Sequence, residues 1–266
     1  MPRLIANLPM LGTINNMTYY KRRGSDDIFI RMKGGPSREQ MKTGDNFKIT
    51  RLNNSEFGGR ATTSSWVMNR MGKLKALADY NIAGPLIKLL KHVQVMDTVS
   101  PHGQRNVCLS FNPGLLSGFS LNKKNPFDAV IRSPINYNID RNNLKATIEI
   151  PALQPGINFF VPRNYPRFGM QAALGYIPDL FYDESVGKYG PGKDHFTFLP
   201  DPTATEWFSV SKGSPEVKLE LSLPSTPPYP SFSLMLTIGI RYGAMGEGDQ
   251  IEQVQYAGAA KVLGMG

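Results

Sequence analysis

The sequence predicts an α+β fold: an antiparallel, β-sandwich-like body preceded by a basic N-terminal region of mixed hairpin and helices. Three observations carry this. Beyond residue 100, apolar side chains recur at every second position in several separated runs, the period of half-buried strands. Between about 45 and 95 the spacing is three or four instead, the period of a helix face. The 26 glycines and 21 prolines make about 18% of the chain against the roughly 12% of average usage, which suits many short strands and turns better than a helical bundle.

In chain order, Thr18–Tyr20 and Ile28–Met32 read as short strands joined by the polar turn Lys21–Asp27, a hairpin signature. Gly34-Gly35-Pro36 breaks the pattern, and Ser37 followed by Glu39-Gln40 resembles a helix start. From Asp45 to Tyr80 a helical stretch is read, in which Phe47, Leu52 and Phe57 are apolar and Val67, Met71, Leu74 and Leu77 recur at three or four residues, and Gly58-Gly59 is expected to break or bend it into two helices. A further helix is predicted at Pro85–Val95, with Leu86, Leu89, Leu90 and Val93 on one face and Pro85 in the first turn. Strands follow at Leu144–Ile150, Phe168–Leu174, Val217–Leu223 and Phe232–Ile240, each expected to bury one face. The proline-rich stretch Pro224–Pro230 cannot pair, so its flanking strands form a wide hairpin or cross between sheets. Phe181–Pro202 reads as a long loop of the kind that carries contacts or function. The organisation expected is a basic region 1–80, a helix and connector 81–118, and a β-sandwich-like domain 119–266.

The charge is distributed unevenly. The first 75 residues hold 14 Lys and Arg against 5 acids, a surplus of nine, which is the whole net charge of the chain; the remaining 16 bases and 16 acids cancel. Such asymmetry points to an electrostatic task for that end, or to an acidic surface that it meets. Lys21, Arg22, Arg23, Arg31, Lys33, Arg51, Arg60 and Arg70 are the candidate contacts to nucleic acid or another acidic partner, with Tyr19 and Tyr20 beside them for base stacking.

Catalytic signatures are weak throughout. Gly187–Lys193 matches the spacing of a phosphate-binding loop, but Asp194 stands where a magnesium-holding Ser or Thr belongs, and the following residues read as a strand. Ser209-Val-Ser-Lys212 fits S-x-x-K without its companion motifs, and His92, His102 and His195 form no metal-ligand spacing. Asp179, Asp183, Glu184 and Asp201 surround the long loop without a pattern that singles out paired acids. No enzyme, cofactor, metal or small-molecule substrate is expected. The single cysteine, Cys108, excludes an intrachain disulfide and reads as a small buried hydrophobe. No signal peptide is read in the first residues, and no run is long and apolar enough for a transmembrane helix.

The strings Gly12-Thr-Ile14, Tyr19-Tyr-Lys21, Ile30–Ser37 and Asn53–Gly58, with Leu236–Gly243 and Tyr256–Lys261 near the other end, resemble a Bacteroidota protein family of unknown function. That resemblance implies a bacterial source and brings no catalytic residues. The layout of a basic segment before a β-sandwich is also analogous to that of many viral shell proteins, whose cationic arms neutralise packaged nucleic acid. The reading that follows is a non-enzymatic structural protein that self-associates into a ring, filament or shell, with Tyr229, Ile251, Val254 and Tyr256 as self-association residues. The alternative is a nucleic-acid-binding protein that uses the bases of residues 19–75.

Overall fold

The computed structural model describes residues 11–22, 26–32, 34–191, 200–229, 231–246, 248 and 250–266. The fold is α+β, as its sequence periods predict. The chain divides into two compact units, Met1–Arg51 and Leu52–Gly266, so residues 52–80 fold with the β-body and not with the basic front end.

In the first unit, β1 (Gly12–Ile14), β2 (Met17–Lys21) and β3 (Ile28–Met32) form an antiparallel sheet in the order β1-β2-β3. Three residues are too few to show a period, which is why β1 is invisible to pattern reading. Its turn to β2 uses Asn15 at φ 51°, a left-handed conformation that Asn tolerates. The short helix α1 (Arg38–Thr43) starts where Ser37 signals it. The Gln40 amide donates to the Ser37 hydroxyl and the Gln40 side chain accepts from the Ser37 N–H, a complete capping box.

Helix α2 (Lys48–Arg70) runs without interruption through Gly58-Gly59. The expected break is absent, and Gly59 serves packing instead: a Cβ there would lie 2.8 Å from the Tyr189 ring. A 3₁₀ segment, Gly72–Leu77, and helix α3 (Ala83–Val95) follow. After a connector comes the short α4 (Phe127–Val130).

The strands of the second unit are β4 (Asn136–Asp140), β5 (Lys145–Ile150), β6 (Arg167–Pro178), β7 (Phe181–Asp183), β8 (Lys188–Gly190), β9 (Thr203–Ala204), β10 (Phe208–Ser209), β11 (Val217–Ser222), β12 (Phe232–Met245) and β13 (Ile251–Met265). They make a sheet in the order β10-β6-β12-β13, with β9 also paired to β6, and a smaller sheet in the order β11-β5-β4. β7 and β8 pair as a hairpin inside the segment expected to be a loop. Because β11 and β12 lie in different sheets, the proline-rich segment between them is a crossing between sheets.

The two sheets share one core. Ala146, Ile148 and Ile150 of β5 and Leu219 and Leu221 of β11 meet Phe168, Met170, Ala172 and Leu174 of β6 and the even-numbered residues Leu234–Ile240 of β12. The sequence reading of one buried face fails for the central strands, since β6 and β12 are buried on both. Their odd-numbered residues face a second core built from Val67 and Met71 of α2, Leu74 and Leu77 of the 3₁₀ segment, and Leu86, Leu90 and Val93 of α3. Side chains there are small because the helical layer comes close. A Cβ at Gly175 would sit 2.7 Å from Arg70 Cβ, and one at Gly239 would sit 2.9 Å from Leu77 Cδ1.

Two carboxylates, Glu56 and Asp97, are locally answered. Glu56, 3% exposed, accepts from Arg105 Nε and Nη2 at 2.6 and 2.7 Å and from the Gly103 N–H at 3.0 Å. Burial pushes its carboxyl upward, but these hydrogen bonds and the Arg105 charge outweigh it and hold the group below its ordinary value. Asp97 accepts N–H bonds from Val99, Ser100 and Asn106 that overcome its partial burial and hold it at about 2.

Gly175→Ala is expected to lower stability by about 1–3 kcal/mol through overpacking against Arg70, read as a lower urea midpoint at unchanged slope. Asp97 is charged in the folded state below its unfolded value of 3.8, so its contribution is present above that pH and is lost as pH falls through about 2. Denaturation midpoints measured near and well above this window should therefore differ less in Asp97→Asn than in the parent.

Candidate nucleic-acid interface

The first unit concentrates charge: up to Arg51 the sequence holds ten bases and four acids. Strand alternation sorts its sheet into two unlike faces. Tyr20 pairs directly with Phe29, Thr18 with Arg31 and Thr13 with Thr18, which sets these five on one face. The two aromatic rings lie 5.9 Å apart, and the Thr13 and Thr18 hydroxyls are 3.1 Å apart. The Arg22 guanidinium carbon lies 4.5 Å from the Phe29 ring centre, and that of Arg31 lies 5.5 Å from the Tyr20 ring centre. The face carries two arginines over two aromatic rings, each cation anchored by a stack.

The opposite face carries Ile14, Met17, Tyr19, Lys21, Ile28, Ile30 and Met32. Met32 is 71% exposed, and Ile14 and Met17 are also exposed. Lys21 therefore sits across the sheet from Arg22 and Arg31, 3.6 Å from the solvent-exposed Asp26 carboxylate.

The other sequence candidates scatter. Arg23 and Lys33 lie outside the described residues. Arg51 donates to the Met41 and Gly44 carbonyls at 3.1 and 2.8 Å, closing the end of α1. In the second unit, Arg60 is largely enclosed and donates to Gln94 Oε1 at 2.5 Å, with Glu56 at 4.0 Å. Arg70 is 1% exposed, lies between the Trp66 and Tyr176 rings at 4.7 and 4.6 Å, and donates from Nε to the Tyr176 carbonyl at 3.1 Å. Desolvation lowers its pKa. Arg70 is thus a correction: an interior residue of the helix–sheet interface, out of reach of a partner.

Tyr229 is corrected likewise. It is 4% exposed, with its ring 6.0 Å from Trp66 and 6.1 Å from Tyr176, because the segment that crosses between sheets tucks it into the core. Ile251 and Val254 are partly buried, Val254 against the two-sheet core. Tyr256 is 79% exposed and takes φ 56° where the β12–β13 register is interrupted between Gly258 and Gln253. The outer edge of β13 is occupied further on, where residues 118–121 bond to Ala260 and Val262.

Outside the sheet, the chemistry-bearing side chains serve structure. Asp179, 1% exposed, accepts from the Ser110 N–H at 3.0 Å and from the Ser110 and Ser231 hydroxyls, tying three segments together. Asp183 accepts within its own turn from Ser185, and Asp201 lies 3.8 Å from Lys73 at the surface. His102 bonds Asn53 at 3.0 Å, and His92 is exposed. Ser209 Oγ lies 3.0 Å from Ser211 Oγ, and the Lys212 N–H donates to the Ser209 carbonyl at 3.2 Å. Burial pushes the Cys108 thiol up to about 12, the state of an unreactive protonated group. Lys193, Asp194 and His195 lie outside the described residues. Among the described residues, no group of three or more His, Cys, Asp or Glu side chains is placed to hold a metal ion, and no helix is long and apolar enough to cross a membrane.

Sequence reasoning found Tyr20, Arg22 and Arg31 but missed Phe29. The signal was available: pairing two strands across the Lys21–Asp27 turn sets Tyr20 opposite Phe29. Comparisons with protein-family models, curated proteins and solved structures return no match for this chain.

Proposed function

We propose that the chain is a non-enzymatic binding protein whose first unit engages single-stranded nucleic acid. The observation that carries this reading is the stacking of Arg22 and Arg31 over Phe29 and Tyr20 on one face of the three-stranded sheet. Guanidinium and aromatic planes offer unpaired bases a stacking platform, and the positive charge of this face attracts phosphates. The concentration of bases in this unit supplies long-range attraction and predicts affinity that falls as salt rises.

The test is fluorescence anisotropy of labelled oligothymidylate and oligouridylate across a KCl series. Binding is expected to weaken steeply with salt, and Arg22→Glu/Arg31→Glu to abolish it. Tyr20→Ala/Phe29→Ala should cost about 1–3 kcal/mol per lost base stack with little change in salt slope. Absence of binding, or binding that ignores both double variants, overturns the proposal.

A second reading, self-association into a larger assembly, draws on the other face of the same sheet. Ile14, Met17 and Met32 there leave apolar surface in water, which a second copy would cover. Light scattering coupled to size exclusion at low and high salt tests it. Met17→Lys/Met32→Lys should dissociate an assembly, and a monodisperse parent monomer at high concentration removes this reading.

A further inference from the structure

A cleft of about 870 Å³ opens on the second unit between residues 155–167 and the 209–211 turn, with Met245 also at its wall. Its size lies within the roughly 300–1,000 Å³ of small-molecule sites. Its lining includes Arg163 and Arg167, the hydroxyl residues Ser209 and Ser211, and Phe160 and Tyr165; among the described residues no Asp or Glu lines it. A cleft lined by two arginines, with no carboxylate among its described lining residues, suits an anion.

The walls are held in place. Ser209 pairs with Arg167 in the ladder of β10 and β6, and the Val210 N–H donates to the Pro166 carbonyl at 3.1 Å. Leu153 and Ser214 exchange two backbone bonds of 3.0 and 3.1 Å beneath the turn. Gly213 permits this approach, because a Cβ there would fall 1.8 Å from the Leu153 carbonyl oxygen. Tyr165 stacks on Tyr242 with ring centres 4.5 Å apart and planes 9° apart, which fixes its ring at the cleft. Arg132 lies 3.8 Å over the Phe160 ring, a further cation at this edge.

We propose that the cleft binds a small aromatic anion, its phosphate or carboxylate held by Arg163 and Arg167 with the serine hydroxyls, and its ring laid against Tyr165. This site is independent of the nucleic-acid face and stands whether or not that face binds anything.

Titration calorimetry of the full chain with adenosine monophosphate, phenyl phosphate, inorganic phosphate and adenosine tests it. The two ring phosphates should bind saturably and more tightly than phosphate or adenosine, each of which satisfies one half of the site. Arg163→Gln/Arg167→Gln, with an unchanged melting temperature, should weaken the ring phosphates at least tenfold. Arg22→Glu/Arg31→Glu should leave them unchanged, which separates this cleft from the first unit. Loss of binding in the Arg22/Arg31 variant but not in the Arg163/Arg167 variant would overturn the assignment, as would absence of binding at millimolar ligand. Equal affinity for inorganic phosphate and the ring phosphates would overturn the aromatic half.

Discussion

The second unit depends on one paired element, strands β6 and β12, which run antiparallel in unbroken register from Phe232↔Pro178 to Gly243↔Arg167 and are buried on both faces. A strand pair enclosed on both sides must place large apolar residues on one face and leave room on the other if a helical layer is to pack close. Even-numbered positions here carry Phe168, Met170, Leu174, Leu234, Leu236, Ile238 and Ile240, and odd-numbered ones include Gly169, Ala173, Gly175 and Gly239. Each large side chain contributes about 1.5–3 kcal/mol on burial, so this pair supplies much of the favourable side of folding. Its glycines admit Arg70 and Leu77 to the sheet surface.

That constraint explains why so much polar chemistry in the second unit is structural. Charges enclosed near the core are held by neighbours: Glu56 by Arg105 and Gly103, Asp179 by Ser110 and Ser231, and Arg70 by two aromatic rings and a backbone carbonyl. The two carboxylates answered in this way have little left to offer a substrate, since loss of a partner would leave a costly buried charge. Arg70 keeps its Nη2 buried without a hydrogen-bond partner among the described residues. The Cys108 thiol, kept protonated by burial, fits the same account.

The two candidate binding surfaces lie elsewhere, and they differ in kind. In the first unit, cations rest on rings across an open sheet, suited to a flexible polyanion whose bases stack. In the second, Arg163 and Arg167 line an open cleft whose walls are fixed by backbone bonds, suited to a compact ligand.

The sequence by itself determined the α+β class, the helix start at Ser37, the strands at Leu144–Ile150, Phe168–Leu174, Val217–Leu223 and Phe232–Ile240, and the basic character of the front end. These depend on local periodicity, capping chemistry and composition, which act within a few residues. Tertiary structure alone decided that Gly58-Gly59 continues a helix, because the reason for the glycine is Tyr189, 130 positions away from Gly59 in the chain. It likewise took Arg70 and Tyr229 out of the solvent, since their burial depends on rings and strands brought from distant segments. Phe29 joined the candidate face, and Arg163 and Arg167 came to share a cleft, by register and turn closure. A charged residue reads the same in sequence whether it ends in water or in a core; only its non-local neighbours settle which.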